Sequence, residues 1–193
     1  MRVPCLKMPG LAVLALAEAV ALRSAAIESP VQHVLVQMPL LVLAGAAAAW
    51  NLQVRRSRAL PLLLMALTAF LFWMLPRNVD WALAPAGEAA KYFSLPLLLG
   101  APLRLSWPWL GPILRGFLKA NALSMLGVLG FLYTHAPVRI CNSYLVSAQQ
   151  DLGFAFLYLA AALACLWAIP VLFGHPRCLP FGTAGCTKMR SVT

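Results

Sequence analysis

"QVRRSR", residues Gln53–Arg58, separates two apolar runs, Val31–Leu52 and Ala59–Leu75. Three arginines in six residues resist burial in hydrocarbon, and cytoplasmic loops of membrane proteins collect Lys and Arg. The stretch therefore predicts a cytoplasmic turn joining two membrane-crossing helices.

Composition supports that reading along the whole chain. Of 193 residues, 62% are hydrophobic and only 10% are charged, with a mean hydropathy of +0.83. A soluble domain carries about 25% charged residues, so this chain has too few to wet a soluble surface. Its apolar runs are rich in Leu and Ala, lack period-two alternation and approach the ~20 residues that span a bilayer as a helix. The expected fold class is all-α: one polytopic transmembrane helix bundle with spans near Pro9–Ala26, Val31–Leu52, Ala59–Leu75, Glu88–Leu105, Leu110–Tyr133 and Leu152–Gly174, then a cytoplasmic tail over 175–193. The 15 prolines fall at span edges or within spans, and Pro96 and Pro102 should bend the fourth.

Working outward from Arg55, Arg56 and Arg58, alternation places both termini in the cytoplasm. Eleven of the fifteen Lys and Arg then lie inside, leaving Arg23, Arg77, Lys91 and Arg139 outside. The formal net charge of +10 thus reports topology and lipid headgroups, not nucleic acid. Residues Met1–Ala26 also resemble a secretory signal, with small Ser24 and Ala26 near a cleavage point; Glu18 within the apolar core favours a retained span. The setting implied is a membrane crossed many times.

Polar chemistry collects at the opposite, outer side. Glu28, Asp80, Glu88 and Asp151 fall at outer span ends, and His33 and Gln37 lie one turn apart near the start of the second span. The loop before the sixth span carries His135, Arg139, Cys141, Asn142, Gln149 and Gln150. Cys141 is the one cysteine of five expected outside, and no CxxC pair exists. With His33 and His135 it forms a candidate metal set, since thiolate and imidazole suit copper; alternatively it is a small residue packed beneath the loop. His33 is a functional candidate as an ionisable group in a span, or simply hydrogen-bonds Glu28 or water at the interface. Glu28 pairs naturally with Arg23, Glu88 with Lys91, and Asp80 with Arg77. Asp151 suits the N-cap of the sixth span. Arg139 could hold an outer carboxylate. Trp73, Trp81, Trp107 and Trp109 suit interfacial anchors, and Gly127, Gly130 and Ala160–Ala162 suit close helix approach. No hydrolase triad, phosphate-cradling loop or dinucleotide motif occurs, so no enzymatic activity is expected.

"VQHVLVQMPLLVLAG" (Val31–Gly45) resembles a helix entry of the multi-spanning CtaG-like cytochrome c oxidase assembly factors, in which Gln-His precedes a Pro-containing apolar run. "YLVSAQQDLGFAFLYL" (Tyr144–Leu159) is similar to their late motif. His33, Gln37, Gln150 and Asp151 match the pattern. Where the family carries a further histidine on the span opening with Glu88, this chain has Lys91 and Tyr92. The resemblance implies a non-enzymatic factor that builds a respiratory oxidase, with copper as possible cargo and lipid, an oxidase subunit or another membrane protein as partner. A structural membrane subunit or a small transporter are the alternatives. Transport would need polar groups through the midplane, where only Glu18 and Asn121 are candidates.

Overall fold

The computed structural model describes residues 8–135 and 144–172, and among them helices joined by short turns are the only regular structure. Helix α1 (Met8–Ala21) and the short α2 (Arg23–Glu28) lead into a rod made of a π segment (Gln32–Gln37) and α3 (Met38–Ala48). A 3₁₀ turn at Arg56–Arg58 opens α4 (Ala59–Met74), followed by α5 (Pro76–Trp81). A second composite rod covers 85–106: α6 (Pro85–Ser94), a π segment (Leu95–Gly100) and α7 (Ala101–Ser106). The 3₁₀ turn Trp107–Trp109, α8 (Pro112–His135) and α9 (Val146–Leu172) complete the described chain.

Proline sets the punctuation. A proline pushes its predecessor out of the helical region. Leu75 accordingly adopts ψ 124° before Pro76, and Ala84 adopts ψ 151° before Pro85, which ends α4 and starts α6. Within a helix, the proline ring collides with the carbonyl four residues back. Pro39 and Pro102 each lie two residues past a π segment, and the carbonyls at risk, Leu35 and Leu98, lie inside those segments. Widening the turn relieves the collision: the Met38 N–H bonds to the His33 carbonyl, and the Ala101 N–H to that of Pro96, each five residues back. Pro39 and Pro102 therefore act by widening the turn before them.

The two rods run parallel in close contact. A Cβ on Gly45 would strike the Pro96 carbonyl, and one on Gly100 would strike that of Val42. Parallel neighbours need a crossover, which α4 supplies. Its Leu63, Ala66, Ala69 and Trp73 are buried, and the central apolar cluster joins Leu41, Ala66, Trp73, Leu95 and Leu99. α8 and α9 form an antiparallel pair closed by Gly130 against Gly153, whose added Cβ atoms would crowd Leu157 and Thr134 respectively. Tyr133, Tyr144, Leu152 and Phe156 tie this pair to Val31, Val34, Leu35 and Leu83.

Among the described residues, three helices are long and apolar enough to cross a membrane: Arg56–Met74, Pro112–His135 and Val146–Ile169. Large exposed apolar side chains such as Ile113, Phe117, Phe131, Tyr158 and Leu172 cover α8 and α9, as a lipid-facing surface requires. The chain is a helical membrane protein.

Several expectations change. The first apolar run breaks at Leu22, giving α1 and α2 instead of one helix. The last begins at Val146, well before Leu152, so Asp151 sits within α9 and cannot be its N-cap. Trp73 is buried, donates its indole N–H to Ser94 Oγ at 2.9 Å and stacks on Trp81; it is a core residue, not an interfacial anchor. Gly127 meets nothing within 4 Å, and Ala161 and Ala162 are exposed, so the close approach belongs to Gly130 and Gly153.

Candidate functional site

The site starts from a helix end. α1 stops at Ala21, which leaves its last carbonyls without partners inside the helix. The Ala19 carbonyl accepts from Gln37 Nε2 at 2.8 Å and from the Tyr92 hydroxyl at 3.1 Å. Gln37 Nε2 also donates to Tyr92 Oη at 3.0 Å, while Gln37 Oε1 accepts from Lys91 Nζ at 2.8 Å. One amide therefore ties α1, the first π segment and α6 together. Both donors and the acceptor are used inside a bundle where an unmade hydrogen bond is costly. Gln37 and Lys91 are 0% and 2% exposed.

Lys91 has no carboxylate in ion-pair range among the described residues. The ion pair there joins Arg23 to Glu88 at 2.7 Å, with Arg23 well exposed. This corrects the expected pairings of Arg23 with Glu28 and of Lys91 with Glu88. Gln37, Glu88, Arg23 and Lys91 border a cavity of about 30 Å³, enough for a single water on a remaining ammonium N–H. Because the Arg23 side of the pair is open to solvent, Arg23→Gln should cost only about 1 kcal/mol; an SDS-unfolding midpoint far below that of the parent protein would contradict this.

His33 lies one turn before Gln37 and is fully buried. Neither ring nitrogen has a well-formed hydrogen bond; Gln37 and the Val79 backbone are its polar neighbours, and Lys91 is near enough to act on it electrostatically. It is sealed away from Glu28, which is exposed. His135 is far more open: its ring stacks on Phe131 with centroids 4.3 Å apart, and Nδ1 lies 2.8 Å from Thr134 Oγ1.

Of the residues singled out from sequence, Gln37 and Glu88 meet at the cavity with His33 alongside. Glu28, Gln150 and Asp151 are exposed and Asp80 is half-buried. Arg139, Cys141 and Asn142 lie outside the described residues. Among the described residues no three His, Cys, Asp or Glu side chains cluster, and the ammonium of Lys91 disfavours a cation beside His33. The polar residues assigned to the rim but found at the centre are Lys91 and Tyr92. Their signal was their place on the apolar span where a histidine was expected.

Comparison with family models, with curated proteins and with solved structures gave no match. Fold and site define the class: a helical membrane protein with a buried polar network of Gln37, Lys91 and Tyr92.

Proposed function

We propose that the chain is a non-enzymatic, six-span protein of a bacterial inner membrane, with both termini cytoplasmic, that assists assembly of a respiratory cytochrome oxidase. The observation that carries the non-enzymatic part is the closed network: Gln37, Tyr92 and the Ala19 carbonyl satisfy one another, which suits a scaffold more than a reaction site. Glu18 is exposed, and Asn121 bonds the carbonyl of Phe117 on its own helix, so neither supports a transport path. The parallel rods support six crossings, since they would cross in the same sense with α4 as a span between them. The oxidase partner rests on the likeness of Val31–Gly45 and Tyr144–Leu159 to the assembly factors.

Removing the chain from its host membrane should lower the assembled oxidase several-fold, measured by haem absorbance and oxygen uptake; unchanged oxidase would end the assembly reading. In a cysteine-free background, Ser57→Cys should react with an impermeant thiol reagent in inverted vesicles and not in intact spheroplasts. Copper handling is a second reading, favoured by the unpartnered ring of His33. It predicts measurable copper in the purified chain and its loss in His33→Ala with Cys141→Ser. A copper-free parent protein would remove this reading and leave the scaffold role intact.

A further inference from the structure

The arginine-dense end of the molecule holds a larger pocket than the polar network does. It lies between the chain leaving α3 and the end of α7, has a volume of about 320 Å³, and is walled by Leu52, Val54, Leu105 and Trp109. Its polar lining is Gln53 and Arg104. The Arg104 guanidinium lies over the Trp50 ring, 4.3 Å from the centroid. This cation–π contact holds the guanidinium against the ring. Arg104 Nε is buried without a hydrogen-bond partner, and no carboxylate pairs with Arg104 among the described residues. None of the chain's five acids lines this pocket.

A half-buried guanidinium that lines a pocket without a carboxylate calls for an anion. Leu52 and Trp109, exposed at 61% and 46%, offer an apolar rim next to it. Arg55, Arg56 and Arg58 follow Val54 directly and are all exposed, so the approach is positive throughout. We propose that this pocket binds a phosphate group through Arg104, and that the phosphate is the phosphodiester of an anionic phospholipid whose acyl chains lie along the apolar rim. Basic pockets between helices at a cytoplasmic membrane face take such headgroups. The inference rests on the membrane assignment and is independent of the assembly role.

The full chain, purified in mild detergent and mixed with equal phosphatidylglycerol and phosphatidylcholine, should retain the former preferentially in native mass spectra. Arg104→Gln should reduce that preference roughly fivefold or more. Arg104→Lys should restore only part of it, because an ammonium lacks the two-pronged geometry. Gln53→Glu, at an exposed position on the wall, should also reduce it and guards against a folding defect in Arg104→Gln. Neutralising Arg55, Arg56 and Arg58 together should leave most of the preference. Displacement of the lipid by millimolar inorganic phosphate would assign the pocket to the free anion, and retention would assign it to the lipid headgroup; both outcomes support a phosphate site. An unchanged preference in Arg104→Gln and Gln53→Glu, or its loss only in the loop variant, would overturn the proposal.

Discussion

Gln37→Leu is expected to lower the unfolding free energy by about 3 kcal/mol, the scale for stripping a buried charge of its partner. The direction is opposite to what hydropathy suggests, since leucine is the better lipid-compatible side chain. The loss arises at Lys91, whose ammonium bonds to Gln37 at 2.8 Å and is 2% exposed. Tyr92 keeps its bond to the Ala19 carbonyl, so α1 stays attached. Lys91→Met in the Gln37→Leu background should recover most of the loss, because no charge is then stranded. SDS titration followed by tryptophan fluorescence measures both. Equal destabilisation in the single and double variants would mean that Gln37 acts through packing and not through the ammonium.

The second large effect is steric. Gly45→Ala or Gly100→Ala places a methyl group against the backbone of the opposite rod, which cannot rotate away as a side chain can. The rods must separate, at about 3 kcal/mol, the upper end for overpacking. The built-in controls are Gly116 and Gly127 in α8, where nothing lies within 4 Å of an added Cβ. Alanine there should be neutral or stabilise by up to about 1 kcal/mol through helix propensity. Similar unfolding midpoints for Gly100→Ala and Gly127→Ala would refute the close contact between the rods.

The helical membrane class was legible because apolar runs and loop arginines report on solvent, and solvent acts residue by residue. Which face of each helix points inward was much less legible. In lipid, core and exterior are equally apolar, so hydropathy does not separate Leu41, fully buried, from Leu43, 59% exposed. The same ambiguity hid Trp73 in the core. Glycine was informative only in part: Gly130 packs against α9 and Gly127 does not, a difference of helical phase. For the site, Gln37 and His33 stood out as polar residues in an apolar run. Lys91 was legible as an oddity, but its charge suggested the rim. Only the parallel rods place it beside Gln37, 54 positions earlier in the chain. The π segments escaped because sequence marks the proline and not how the preceding turn accommodates it.

The single amide shared by three helices also bears on how the protein is made. If the segment 85–106 crosses the bilayer, a lysine in it disfavours entry, by up to about 3 kcal/mol at a helix centre and by less toward the end where Lys91 lies. Its acceptor, Gln37, emerges from the ribosome first, with the Ala19 carbonyl earlier still. The early helices therefore form a docking frame, and the later lysine-bearing segment is retained when it finds that frame assembled. On the six-span reading, a defect in the first two segments should surface as failed membrane integration of the one containing Lys91.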